Sequence, residues 1–180
     1  MAVEFGNSID ETVNAQVTRL NDWLNGEGDL PGIIETIPTY RSVMVVFEPE
    51  LVSRKALEAH INAKVESLLN KTEETDGRLI RVPVCYGGEF GADLEDVAVH
   101  AGLWAAEVIS RHCLPRYLIY MIGFLPGFPY LGGLDKSIAC PRLSAPRTRI
   151  PAGSVGIAGE QTGIYPLESP GGWRLIGRTP

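Results

Sequence analysis

Twenty glycines and thirteen prolines punctuate this 180-residue chain, and 19 of those 33 lie between residues 121 and 180. Proline fixes φ and removes a backbone donor, while glycine admits positive φ. Such density specifies turns between short strands and excludes a long helix in that stretch. Turns explain any single glycine or proline here, but they do not explain what sits between them. Gly123–Tyr130 reads GFLPGFPY, with two phenylalanines and a tyrosine, and five arginines face two glutamates after Cys140.

The first 84 residues have a different texture. Ala2–Phe5 is a short apolar run. Asp10 can cap a helix whose Val13, Val17, Leu20 and Leu24 recur at helical spacing, with Gly26 and Gly28 beyond it. Gly32–Pro38 and Ser42–Phe47 read as two strands, Ser53 as the cap of a second helix carrying Leu57, Ile61, Val65 and Leu68, and Arg78–Val84 as a further strand. The order β-α-β-β-α-β is the split, ferredoxin-like pattern. His60 is expected at the surface or its boundary, and Lys71–Asp76 is expected to be a solvated loop.

Composition removes some function classes. A net charge of −6 and a pI near 5.1 argue against a dedicated nucleic-acid binder. No apolar stretch is long enough to span a bilayer, and Met1–Asp10 has no signal-peptide pattern, so a cytoplasmic protein with no membrane partner is expected. Cys85, Cys113 and Cys140 lack CxxC spacing and read as reduced, buried thiols, with no metal site.

From Cys85 to Gly91 the chain is a glycine-rich link. Asp93 is expected to cap one helix, and Trp104–Cys113 forms another with Trp104 where a capping Ser or Thr would serve better. YGGEFG next to a helix start can be read as a phosphate cradle or as a plain strand-to-helix turn, since no GxxxxGK[ST] motif is present. His100 and His112 are each a general-base candidate or a packing histidine. Arg116–Gly123 reads as a strand buried on both faces. It leads into Phe124, Pro126 and Phe128, either a pocket wall or a hydrophobic plug.

Arg142, Arg147 and Arg149 project from a segment stiffened by Pro141, Pro146 and Pro151, suited to binding a carboxylate or phosphate. Of the three, Arg149 is expected at the surface. Ile150–Ala158 and Gly163–Tyr165 read as strands. Gln161 and Tyr165 offer neutral donors and acceptors for an amide or lactam, and Trp173 is expected to pack inside. The residues thus propose a site of Phe124, Pro126, Phe128, Arg142, Arg147, Gln161 and Tyr165, with His100 and Arg147 as catalytic candidates. No catalytic triad, zinc motif or nucleotide loop stands out, so the chain does not read as a self-sufficient enzyme.

The blocks GFLPGFPYLGGLD, PRLSAPRTRIPAGSVGIAG and QTGIYPLESPGGWRLIGRTP resemble the KipI/allophanate hydrolase subunit 1 family, which includes a lobe of the carboxyltransferase domain of urea amidolyase. The completed β-α-β-β-α-β count before the glycine link predicts two domains, with a ferredoxin-like α+β domain over 1–82 that the resemblance agrees with; over 83–180 the resemblance implies a cyclophilin-like β-barrel with a helical insert. It also implies strands before the VEFG block and beyond GRTP, whose absence would leave barrel edges for another chain to cover. Three activities are implied. One is that of the B subunit of an ATP-dependent 5-oxoprolinase, opening the 5-oxo-L-proline lactam to L-glutamate with A and C subunits and using ATP. The others are a non-enzymatic inhibitor of a sensor histidine kinase, and a component of urea or allophanate metabolism.

Overall fold

The computed structural model describes residues 1–69 and 77–180. The acidic run Lys71–Asp76 lies outside the described residues. The chain divides into two compact units, Met1–Arg78 and Leu79–Pro180. Among the described residues no helix is long and apolar enough to cross a membrane.

The N-terminal unit holds strand β1 (Ala2–Glu4), helix α1 (Glu11–Leu24), strands β2 (Ile33–Pro38) and β3 (Ser42–Phe47), and helix α2 (Arg54–Leu69). Both helix starts are capped as their sequences specify. The Asp10 carboxylate accepts from Val13 N at 2.9 Å, and Ser53 Oγ from Ala56 N at 3.2 Å. Val17, Leu20 and Leu24 of α1 then bury against Leu57, Ile61 and Leu68 of α2 and against Val43 and Val45, alternate residues of β3. The sheet order is β1-β3-β2, antiparallel throughout. His60 stacks on Trp23 at 4.9 Å and bonds the Gly28 carbonyl through Nε2 at 2.8 Å, a boundary residue.

The fourth strand expected over Arg78–Val84 does not form, so this unit runs β-α-β-β-α. Leu79 and Ile80 are consecutive and both well exposed, which breaks the alternation a half-buried strand needs, and Pro83 removes a donor. Pairing begins only at β4 (Cys85–Tyr86), whose partner lies in the C-terminal unit.

That unit is built on a six-stranded antiparallel sheet. Its strands are β4, β5 (Leu118–Ile122), β6 (Pro129–Gly132), β8 (Ser154–Ala158), β9 (Gln161–Ile164) and β11 (Arg174–Arg178), in the order β4-β11-β8-β9-β6-β5. A separate ribbon pairs β7 (Arg147–Ile150) with β10 (Ser169–Gly171). Pairing sets Tyr130 beside Gly163, Gly163 beside Gly156, and Gly156 beside Leu175, so these share one face; Leu131, Thr162 and Ile157 share the other. Helices α3 (Leu94–Ala101) and α4 (Ala105–Cys113) contribute Leu94, Val97, Ala98 and Val108 to a core with Val155, Ile157 and Ile176. A second core gathers Phe128, Ile150, Ala158, Tyr165, Trp173 and Leu175.

Three expectations are corrected here. Among the described residues the apolar run in β5 is an edge strand paired only with β6, and this leaves Leu118, Ile119 and Ile122 exposed; continuous hydrophobicity does not reveal how many neighbours a strand has. Ile150–Ala158 is two strands: Pro151 has no N–H, and Gly153 turns the chain at φ +80°. The three cysteines are free, but only Cys140 is buried.

Gly163 is small because the Phe128 ring lies over it; a Cβ there would sit 2.8 Å from Phe128 Cζ. Gly163→Ala is expected to cost about 1–3 kcal/mol by overpacking. Gly159→Asn, at a left-handed position (φ +59°) with open space around it, is expected to be nearly neutral. Thermal unfolding checks the contrast, and equal midpoints for the two variants would contradict it.

Candidate functional site

The loop after β5 turns tightly. Gly123 N donates to Phe128 O at 3.1 Å and Phe128 N to Leu125 O at 3.0 Å, with Gly127 at φ +82°. Phe124 is the one described non-glycine residue at positive φ (63°), a conformation that costs an L-residue on the order of 1–2 kcal/mol. Its exposed ring meets Phe128 edge-on at 5.6 Å and Tyr165 at 6.4 Å. Phe128 in turn touches Tyr130, Tyr165 and Trp173 at 4.8, 5.1 and 5.4 Å. Phe124, Phe128 and Tyr165 are therefore gathered into one aromatic cluster, but not all as wall. Phe128 and Tyr165 are each 1% exposed and act as core, which corrects the expectation that Tyr165 presents its hydroxyl to a ligand. Burial raises the Tyr165 pKa, opposed first by a hydrogen bond from the Trp173 backbone and then by the charges of Arg142 and Arg147.

The arginines divide by partner. Arg147 closes a two-pronged pair with Asp93, Nη1 to Oδ2 at 2.9 Å and Nη2 to Oδ1 at 2.7 Å. The anion that Arg147 faces is thus a residue of this chain. Asp93 is 3% exposed; its Oδ2 also accepts from Leu175 N at 2.6 Å, and its own N–H donates to Leu175 O at 2.8 Å. The carboxylate makes no cap bond to α3, correcting its reading as a side-chain cap. Arg174 pairs with Asp96 at 3.1 Å, and Arg149 forms an exposed pair with Glu168 at 2.8 Å. Arg142 lies with its guanidinium carbon 5.9 Å from the Trp173 ring centroid.

YGGEFG is a plain strand-to-helix turn. Gly87 N donates to Ile176 O, and Phe90 and Gly91 donate to Gly87 O, so these three amides close the turn on the chain's own carbonyls. On α4, Glu107 Oε2 accepts from Trp104 N at 2.9 Å, supplying half of a capping box although the indole can accept nothing.

His100 is exposed on α3, off the Leu94–Val97–Ala98 stripe, and is not brought to the aromatic cluster. The buried histidine is His112. Thr162 Oγ1 donates to Gly156 O at 3.0 Å and so accepts from His112 Nε2–H at 2.9 Å, which leaves Nδ1 to accept from the Tyr86 hydroxyl at 2.8 Å. Cys113 Sγ donates to that hydroxyl at 3.4 Å. Burial pushes the His112 pKa down to about 4 and raises that of Tyr86, so the histidine is a neutral relay in a structural chain. Sequence reasoning weighed His112 only as an isolated helix residue, because its partners lie 26 and 50 residues away.

Gln161 stands on the same face as Gly163 and Tyr130, and its buried Nε2 has no acceptor among the described residues. Among the described residues no group of three or more His, Cys, Asp or Glu side chains could hold a metal ion.

A family model described as the carboxyltransferase domain, subdomain C and D, matches residues 1–180. The chain is 47% identical to the B subunit of 5-oxoprolinase from Bacillus subtilis, over 100% of this chain and 78% of that protein. It is 43% identical to the corresponding 5-oxoprolinase B subunit of Escherichia coli O157:H7, over 84% of this chain and 68% of that one. The crystal structure of TTHA0988 superposes with a TM-score of 0.83 at 35% identity, covering 99% of this chain and 34% of that one. The chain thus spans about a third of that longer protein.

Removing Arg147 strands a buried carboxylate, so Arg147→Ala is expected to cost about 3 kcal/mol, whereas Arg149→Ala at an exposed pair should cost well under about 1 kcal/mol. Urea unfolding measures both, and equal losses would refute the division of the arginines. His112 gives a pH signature. Its folded pKa lies below its ordinary 6.5, so the unfolded chain takes up the proton first as pH falls. Its contribution is full above pH 6.5, declines from there towards 4, and levels off below. The expected loss is on the order of 2–4 kcal/mol. The difference in stability between wild type and His112→Gln should shrink by that amount over the same window; a pH-independent difference would contradict the buried neutral imidazole.

Proposed function

The chain belongs to the carboxyltransferase subdomain C and D family along its whole length, and from that membership we propose that it is the B subunit of an ATP-dependent 5-oxoprolinase. The observation that carries this reading is the 47% identity, over the entire chain, to a 5-oxoprolinase B subunit. The reaction opens the lactam of 5-oxo-L-proline to L-glutamate with hydrolysis of ATP. Transfer of the γ-phosphoryl group of ATP to the lactam oxygen, releasing ADP, would let water attack the carbonyl carbon; the C–N bond then breaks with the nitrogen leaving as the amine, and a second water hydrolyses the resulting γ-glutamyl phosphate to L-glutamate and inorganic phosphate. This chain acts with A and C subunits, and its own contribution is a rigid aromatic and cationic surface for the substrate. Phe124 and Pro126 provide apolar contact at the end of β5, Arg142 a cation and Gln161 a neutral donor. Arg147, engaged by Asp93, holds the framework. The shared name of both curated relatives supports this reading over a kinase inhibitor or a role in urea or allophanate metabolism.

The same family reading extends to the fold. We read residues 1–82 as a ferredoxin-like domain lacking its last strand, supported by the antiparallel order β1-β3-β2. Residues 83–180 are read as a cyclophilin-like barrel domain, supported by the six-stranded antiparallel sheet with α3 and α4 on one face.

The test is reconstitution. The purified chain is expected to release no glutamate from 5-oxo-L-proline and ATP, and activity is expected when A and C subunits are added. Lactam opening by the chain alone, or a complete mixture that stays inactive while A and C bind it, would overturn the proposal.

A further inference from the structure

Five arginines follow Cys140, and four have oxygen partners within the chain. Arg147 is held by Asp93, Arg149 by Glu168, Arg174 by Asp96 and the Pro141 carbonyl, and Arg178 by the Ala152 carbonyl at 2.9 Å. Arg142 donates to no oxygen among the described residues, and its guanidinium carbon lies 5.9 Å from the Trp173 ring centroid. Its backbone is nevertheless fixed on both sides. Cys140 and Gly159 exchange two hydrogen bonds, at 3.3 and 2.8 Å, and Leu143 N donates to Gly172 O at 2.8 Å. Pro141 stiffens the residue between the first anchor and Arg142. The guanidinium is therefore placed by packing and left with its donors open.

Its surroundings point the same way. The charge of Arg142 reaches both the Tyr130 and Tyr165 hydroxyls, where burial raises the pKa and the arginine opposes it. The Cys140–Gly159 bridge holds this segment against the β8–β9 turn, two residues from Gln161. The buried Nε2 of Gln161, on the Tyr130 face, is a second donor without an acceptor among the described residues. A cation over an indole, with a buried and unpaired amide donor on the neighbouring segment, fits a small planar acid that also carries a carbonyl.

We propose that Arg142 is the specificity-determining cation of this site, taking the carboxylate of a small cyclic-amide acid while Gln161 donates to its ring carbonyl. This deepens the 5-oxoprolinase reading and rests on it for the identity of the ligand. The carboxylate takes no part in opening the lactam, so Arg142 acts in binding and selection and does not activate the ring.

Two readouts test it, with 5-oxo-L-proline and 2-pyrrolidinone, the same lactam without a carboxylate, as probes. Ligand-observed NMR on the isolated chain should show binding of 5-oxo-L-proline that Arg142→Gln weakens about tenfold or more. Arg142→Lys should restore part of that loss, and 2-pyrrolidinone should respond equally to all three proteins. In the complex with A and C subunits, Arg142→Gln should raise KM for 5-oxo-L-proline about tenfold with kcat within about threefold, and Gln161→Leu should weaken both probes. The thermal midpoint of Arg142→Gln should match wild type, since the side chain is exposed. If the complex is inactive but the carboxylate-dependent binding is lost in Arg142→Gln, the site stands and the 5-oxoprolinase reading fails. If the complex is active and Arg142→Gln leaves KM unchanged, this inference is overturned and that reading survives. An inactive complex together with no carboxylate-dependent binding would overturn both.

Discussion

A single buried carboxylate ties the C-terminal unit together. Asp93 precedes α3, yet its oxygens are spent on the Arg147 fork of β7 and on the backbone of Leu175 in β11. The helix start, the ribbon and the main sheet are thereby joined at one point, over 54 and 82 residues of sequence. Charge-assisted bonds with good geometry offset the desolvation of such a group, and losing one partner would leave the other costly to bury. The sheet's two faces then divide the work. One carries α3, α4 and the neutral His112 chain, and the other carries the aromatic cluster.

This division decides which cation is available. An arginine that anchors a fold cannot also release its fork to a substrate without exposing the cost of its buried partner. Arg147 is therefore fixed in a structural pair, Arg174 is engaged by the exposed Asp96 and by the Pro141 carbonyl, and the open guanidinium at Arg142 is held by Trp173 and by backbone anchors on either side. The strained Phe124 belongs with the same rigid construction, because its left-handed turn brings an exposed ring onto the buried Phe128 and Tyr165.

What the sequence revealed follows the range of the interactions concerned. Asp10 and Ser53 cap their helices, and Val17, Leu20 and Leu24 form the α1 stripe, because capping and periodicity act within a few residues. Pairing is not local. Hence the apolar run in β5 misled about burial, and Arg78–Val84 misled about its existence as a strand. Asp93 looked like a cap because the residue types that cap helices also make ion pairs, and nothing nearby announces a partner 54 residues on. Arg142 and Arg147 share the same proline-spaced setting in sequence; only the fold distinguishes the paired one from the open one. The aromatic cluster itself was legible from its composition, but which of its rings faces solvent depended on Gly163 making room for Phe128.

The central claim is that the ligand meets Arg142 and leaves the Asp93–Arg147 pair intact. A crystal structure of the chain with bound 5-oxo-L-proline, in the presence of its partner subunits, tests it most directly. The account predicts the ligand carboxylate within hydrogen-bond distance of the Arg142 guanidinium, beside Trp173, with Asp93 still gripping Arg147. A carboxylate inserted between Asp93 and Arg147, or bound where neither Arg142 nor Trp173 touches it, would contradict the account.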